Sequence, residues 1–127
     1  MNRVTVERLT VHSDARGSVF EPLGPDGLPD QRNVHVVVTE PGAVRGNHLH
    51  PHGTERLVIQ GPALFRCRQD GKVVDTEIAG GEVVRFTIPA GVAHALKNTG
   101  TAPILAVSFV TVPHDPAAPN VVADVLL

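Results

Sequence analysis

Apolar and polar residues alternate along most of this chain with the two-residue period of β-strands, and nowhere with the 3.6-residue period of an amphipathic helix. Val4, Val6 and Leu9 predict a first strand, and Ser18 to Pro22 a second. The stretch EPLGPDGLPDQ that follows Phe20 is dense in Pro and Gly and reads as a long surface loop. Val34–Thr39 is a run of valines suited to a buried strand. Pro41-Gly42 turns the chain into Ala43–His48, Arg56–Gln60 forms the next strand, and Gly61-Pro62 turns it into Ala63–Arg68. Asp70-Gly71 is a strong hairpin signal between Ala63–Arg68 and Val73–Ile78. Gly80-Gly81 opens Val83–Ile88, Pro89-Ala90-Gly91 makes a tight turn, and Ile104–Val110 closes the series. About nine or ten short strands, with turn signals roughly every 8–12 residues, predict an all-β sandwich or barrel.

The pattern changes in the last stretch, PHDPAAPNVVADVLL, residues 113–127. Its prolines keep it irregular, so we treat it as a C-terminal tail. The apolar end from Val121 to Leu127 calls for burial, as a short helix, an edge strand or a dimer contact. No internal repeat or second domain is visible, and residues 1–127 read as one domain. Exposed strand edges and this apolar end predict a homodimer built from the N-terminal strand or the tail.

Composition narrows the possible classes. A chain of 127 residues can bury a hydrophobic core without a staple. The single cysteine, Cys67, excludes an intrachain disulfide and suits a reducing compartment. The segment MNRVTVERLT has no apolar signal core, and no apolar run approaches the roughly 20 residues of a membrane span. The expectation is a soluble, cytoplasmic protein with no membrane partner. The net charge is −2 with both signs interspersed, and there is no Trp or Tyr for base stacking, which argues against nucleic acid as a partner. The seven histidines carry the chemistry.

His48 and His50 stand two apart, so on a strand both project from one face. Pro51-His52-Gly53 ends that strand, and Glu55 returns on the next, where it can point back at the pair. His94 follows the Pro89-Ala90-Gly91 turn as a fourth candidate. Three neutral imidazoles and a carboxylate suit a divalent transition metal. Zinc, iron, manganese and nickel all fit, and ligand type does not separate them.

These residues resemble the two motifs of the cupin superfamily. The first, G-x5-H-x-H-x4-E, matches at Gly42, His48, His50 and Glu55, and the second, P-x-G-x2-H-x3-N, at Pro89, Gly91, His94 and Asn98. Only five residues separate Glu55 from Gly61 and seven separate Gly81 from Pro89, which departs from the usual strand lengths but leaves the ligands in place. The resemblance implies a single cupin barrel, that is, a double-stranded β-helix or jelly roll. Asp14-Ala-Arg16-Gly17-Ser-Val-Phe20-Glu21 is further similar to the D-x-R-G-x-x-x-E stretch of dTDP-4-dehydrorhamnose 3,5-epimerases. The segments around Arg45-Gly46-Asn47-His48 and Glu55 to Arg66 resemble the C-terminal zinc-binding cupin domain of enzymes that epimerise and reduce a UDP-2-acetamido-2,6-dideoxy-hexos-4-ulose in capsular polysaccharide synthesis. The similarity runs from about Asp14 to Pro119, and the reductase domain of those enzymes is missing from this sequence.

What the resemblance implies is a metal-dependent epimerase or isomerase acting on a nucleotide-linked 4-keto-6-deoxy sugar, and the zinc-binding family favours zinc as the metal. Two other readings share the ligand set: a small iron dioxygenase, and a non-catalytic cupin that binds a sugar or another small molecule. In the dTDP-sugar enzymes the R-G-x-H histidine is catalytic, which falls on His48; if His48 holds metal instead, Glu55 and His52 are the next candidates for a base. The tyrosine acid of those epimerases has no counterpart in this chain. Arg45 matches the family arginine and is a candidate bidentate donor to a substrate phosphate. Arg16 and Arg66 are further candidates for substrate binding; Arg16 can instead pair with Asp14 or Glu21. Cys67 is expected in the core, Asn98 as a brace for the turn after His94, and His12, His35 and His114 as surface or filler.

Overall fold

The computed structural model describes residues 3–127. Among these the chain forms, in order, β1 Thr5–Arg8, β2 His12–Asp14, β3 Gly17–Val19, β4 Asn33–Thr39, β5 Val44–Leu49 and β6 Glu55–Gln60. It continues with β7 Ala63–Gln69, β8 Lys72–Ile78, β9 Val83–Ile88, β10 His94–Asn98, β11 Ile104–Val110 and β12 Val122–Ala123. One short 3₁₀ turn, Leu28–Asp30, is the helical exception. All described strand pairs are antiparallel. Two five-stranded sheets result, β1-β9-β6-β11-β4 and β12-β5-β10-β7-β8, with β2-β3 as a separate ribbon. This is the all-β jelly-roll barrel that the alternation predicts. No described helix is long and apolar enough to cross a membrane.

The inner faces of the two sheets meet in one core. Leu57 and Ile59 of β6, Phe86 and Ile88 of β9, and Phe65 of β7 interdigitate there with Cys67, Ile78 and Leu96. Phe65 and Phe86, one from each sheet, stack with ring centroids 3.8 Å apart. The β7–β8 hairpin turns at Asp70 and Gly71, with φ of 53° and 74°. Two consecutive left-handed residues are what a two-residue type I′ turn requires, which is why Asp-Gly marks it in the sequence.

β2 and β10 are strands that the alternation does not predict, and the strand expected over Ser18–Pro22 is the shorter β3 of the separate ribbon. Three further segments also depart from expectation. The Pro/Gly-rich loop does not lie wholly on the surface: Leu23 is 7% exposed and joins Val58, Val83 and Phe109 in a second small core outside the first sheet. Val34–Thr39 is an edge strand and not a buried one. β4 pairs only with β11, so its outward residues Val34, Val36 and Val38 stay about half exposed, at 55%, 58% and 49%. A run of valines cannot distinguish an edge from a centre, because its hydrophobicity is the same on both faces. The tail, of the three options, takes the edge strand: Val122 and Ala123 pair with Leu49 and His48 of β5. Even so, Val121, Val122 and Val125 remain exposed, so strand pairing, side-chain hydrogen bonds and an ion pair hold the segment more than apolar burial does. Both segments expected to build a dimer, the N-terminal strand and the tail, are thus paired along one side within the chain.

Phe86 is fully buried at the centre of the stack. Phe86→Ala is expected to cost about 3–5 kcal/mol of folding stability, because the cavity between two sheets has no flexible neighbour to fill it. Urea unfolding of the variant against wild type measures this.

Candidate metal centre

The site begins with an irregularity in β5. Gly46 and Asn47 both have positive φ, 90° and 56°, and the pairing with β10 shifts register between His94 and Ala95. His94 faces His48, whereas Ala95 faces Gly46, so Asn47 is the extra residue of a β-bulge. Glycine is required at the first position: a Cβ on Gly46 would lie 2.9 Å from the His94 carbonyl oxygen. Beyond the bulge His48 and His50 project into the barrel beside His94. The three ring centroids are 4.8, 5.0 and 5.5 Å apart, and the ligand atoms of all three lie within 4.8 Å of one another. A backbone bond from Gly91 N–H to the His50 carbonyl, 2.8 Å, ties the turn before His94 to the strand that carries the other two.

Glu55 arrives from the opposite sheet and is buried. Its Oε2 accepts a hydrogen bond from the Ser108 hydroxyl. Its Oε1 lies 3.0 Å from His94 Nε2 and 3.2 Å from His50 Nε2, and no hydrogen-bond partner satisfies it. The far nitrogens of the two rings explain this. His94 Nδ1 donates to the Val92 carbonyl at 3.0 Å, and His50 Nδ1 donates to the Asn120 carbonyl at 2.7 Å. A carbonyl can only accept, so the proton of each neutral ring is on Nδ1 and the lone pair is on Nε2. Two lone pairs and a carboxylate oxygen then converge at hydrogen-bond distance with no proton between them, an arrangement that calls for a cation. The donor set therefore fits a divalent metal, with His48 completing it.

The electrostatics agree. Burial, joined by the neighbouring His94 and His50, pushes the His48 imidazolium down to about 4, so the ring is neutral at physiological pH. Burial alone would raise Glu55, but the adjacent His50 and His94 imidazoles and the Ser108 hydroxyl outweigh it and hold the carboxyl well below the usual carboxylate range. His50 moves the other way: burial opposes its charge, yet Glu55 raises it above the ordinary histidine value. A carboxylate that draws a proton onto an adjacent imidazole will draw a metal ion to the same place.

A cavity of about 270 Å³ opens in front of the four residues and is lined additionally by His35, Val37, Arg45, Leu57 and Leu96. A second lobe of about 280 Å³ shares His35, His48 and His50 and runs outward to Val112, His114 and Asn120. The structure thus gathers His48, His50, Glu55, His94 and Arg45 at one cavity. It does not bring the other three candidates there. Arg16 sits on the β2–β3 ribbon, where it pairs with Asp14 at 2.6 Å. Arg66 faces outward from β7 and pairs with Asp75 at 2.6 Å. His52 is exposed on the turn after β5, with its backbone N–H and C=O bonded to the Asn120 side chain, so it is not placed as a base. Cys67 is in the core, and Asn98 braces its turn through bonds to Thr39, Ala102 and Gly100. His35 is the residue the sequence reading overlooked. On β4 it alternates with the exposed valines and shares the inward face with Val37, a signal hidden because Val37 makes the run look uniform. Ser108 and Asn120 carry no sequence signal, since only the folded chain brings them to Glu55 and His50.

The profile of the polysaccharide biosynthesis C-terminal domain family matches residues 12–122. The chain belongs to this family. Its barrel is similar to the capsular polysaccharide assembling protein CapF from Staphylococcus aureus, at 26% identity and TM-score 0.69, over 93% of this chain and 33% of CapF. The polysaccharide biosynthesis C-terminal domain described here therefore spans about one third of the CapF chain. QdtA, a sugar 3,4-ketoisomerase from Thermoanaerobacterium thermosaccharolyticum solved with TDP, superposes with TM-score 0.72 at 17% identity, over 95% of this chain and 88% of QdtA. The rmlC epimerase of Mycobacterium tuberculosis gives 0.69 at 17% identity, over 90% and 66%. No curated protein sequence matches the chain. The fold is that of the cupins, as the two motifs imply.

In chelator-treated protein, His48 is expected to titrate near pH 4 in an NMR titration of its ring protons. Above the ordinary value of 6.5 the residue is neutral in both folded and unfolded chains and contributes nothing to the pH dependence. Between 6.5 and about 4 the unfolded chain binds a proton that the folded one does not, so stability falls as the pH drops through that window.

Proposed function

We propose that the chain is a metal-dependent epimerase or isomerase that moves a proton beside the keto group of a nucleotide-linked 4-keto-6-deoxy sugar. The observation that carries this is the unpartnered Glu55 Oε1 facing the Nε2 lone pairs of His50 and His94 in a cavity that Arg45 also lines. His48, His50, Glu55 and His94 would hold the metal, with zinc expected first and iron, manganese or nickel as the alternatives. The metal, when bound, supplies Lewis-acid polarisation of a carbonyl oxygen. Family membership and the resemblance of the barrel to nucleotide-sugar enzymes support the substrate class.

The remaining roles fall to this chain's own side chains. Arg45, fixed by a 3.2 Å bond to the Val38 carbonyl, offers its other guanidinium donors to a phosphate at the cavity mouth. Val37, Leu57 and Leu96 give the cavity an apolar wall. With the three inner histidines and Glu55 engaged, His35 is the titratable side chain of the cavity wall left to accept and return a proton. Its place at the junction of both lobes, close to solvent, suits exchange of that proton with water.

Elemental analysis of the purified protein should find about one metal per chain. His50→Ala should empty the site, whereas His12→Ala, far from it on β2, should leave it full. With a UDP- or dTDP-4-keto-6-deoxy sugar in deuterated water, NMR should show metal-dependent exchange at C3. His35→Gln should slow this exchange about 10²–10⁴-fold with the metal retained. Full metal in His50→Ala would overturn the ligand set. Absence of exchange by metal-loaded wild type in both nucleotide series would overturn the epimerase reading and leave an iron dioxygenase or a binding cupin.

A further inference from the structure

The C-terminal segment does more than pair with an edge. The Asn120 carbonyl accepts the Nδ1 proton of His50 at 2.7 Å. The same residue's side chain accepts from the His52 N–H at 3.0 Å through Oδ1 and donates to the His52 carbonyl at 2.7 Å through Nδ2. One residue therefore holds both the ring of His50 and the backbone two residues on. The three bonds close on the Pro51-His52-Gly53 turn from outside.

His50 differs in this from His94. The orienting carbonyl of His94 belongs to Val92, two residues away, and comes with the local turn. That of His50 lies 70 residues away in sequence and exists only when the tail is docked. Beyond Asn120 the segment has further anchors, while the two side-chain bonds to His52 hold the carbonyl itself. Val122 and Ala123 pair with Leu49 and His48, Asp124 N–H donates to the Asn47 carbonyl at 2.8 Å, and Arg68 pairs with Asp124 at 2.7 Å. The Asn47 side-chain oxygen accepts from Leu126 N–H and Leu127 N–H at 2.9 and 3.0 Å. The bulge residue that sets the register of His48 thus also receives the tail.

We propose that Asn120 is a positioning residue of the metal centre, and that docking of the segment 120–124 and loading of the metal are coupled. The proposal rests on the metal-centre reading given above. The docked carbonyl fixes His50 as the Nδ1–H tautomer with its Nε2 lone pair turned to the cavity, which is the form a metal requires. A free tail leaves His50 able to take the other tautomer or to turn away. Coupling of this kind is reciprocal, so the metal must hold the tail as firmly as the tail holds His50.

The test uses zinc and cobalt as probes on the full chain. Asn120→Ala keeps the carbonyl but removes both side-chain bonds to His52 that hold it against His50. Competition with a chromophoric chelator should therefore show zinc affinity about 10–100-fold weaker in this variant than in wild type. The visible spectrum of the cobalt-loaded variant should change with it. Asn120→Asp, which keeps the acceptor for the His52 N–H but loses the donor to its carbonyl, should fall between the two. A merely structural role would lower the melting temperature of the chelated protein and leave the zinc-induced rise intact; a positioning role shrinks that rise. Hydrogen exchange on wild type alone provides a second reading, with residues 120–124 more protected when zinc is bound. If wild type binds neither ion, the metal-centre reading falls and this inference with it. If wild type binds zinc tightly while Asn120→Ala matches it in affinity and spectrum, or if zinc leaves the exchange of 120–124 unchanged, the inference alone is overturned.

Discussion

A carboxylate inside an apolar barrel has to be compensated, and the architecture follows from how Glu55 is compensated. An isolated buried charge costs several kcal/mol, and neither Leu57 nor Leu96 beside it can repay that. One oxygen is answered by Ser108 from the neighbouring strand β11. The other faces imidazoles that belong to the opposite sheet. The charge therefore ties the two sheets together at the open end of the barrel, while the Phe65–Phe86 stack ties them in the core.

The imidazoles are supported in turn, each by different means. His94 inherits its orientation from the turn that Pro89 and Gly91 make, and that turn is bonded to the His50 carbonyl. His48 is placed by the bulge, which exists because Gly46 has no side chain to strike the His94 carbonyl. His50 depends on a segment from the far end of the chain. Local geometry, strand register and long-range docking thus each place one ring, and a perturbation of any of them reaches the others through the carboxylate they share.

What could be read from the sequence divides along the same lines. Most strands of the two sheets, though not β10, and the Asp70-Gly71 hairpin follow from period-two alternation and turn chemistry, which are local. The four inner residues follow from spacing, because His48, His50 and Glu55 lie within one strand-turn-strand unit and His94 sits at a fixed distance from its turn. The edge position of β4 was not legible, since a valine run is equally apolar in either setting. Nor was the place of His35 at the cavity, because which face of that strand looks inward is decided by its partner β11. Arg16 takes Asp14, one of the two partners its own sequence neighbourhood offers, whereas the Asp75 partner of Arg66 appears only in the fold. Asp75 is nine residues from Arg66 but directly across a hairpin, and charge counting along the chain does not reveal that.

The bulge in β5 has a consequence of parity. On a regular strand residues 45 and 48, an odd number apart, would point to opposite faces, so Arg45 and the His48–His50 pair could not both enter the barrel. The inserted Asn47 cancels the mismatch: Arg45 lies across from Leu96 and His48 across from His94, all on the inward side. One extra residue thus lets a single strand carry the group suited to an anion and the groups suited to a cation into the same space. The odd spacing from arginine to histidine in Arg45-Gly46-Asn47-His48 is the written trace of that change of face.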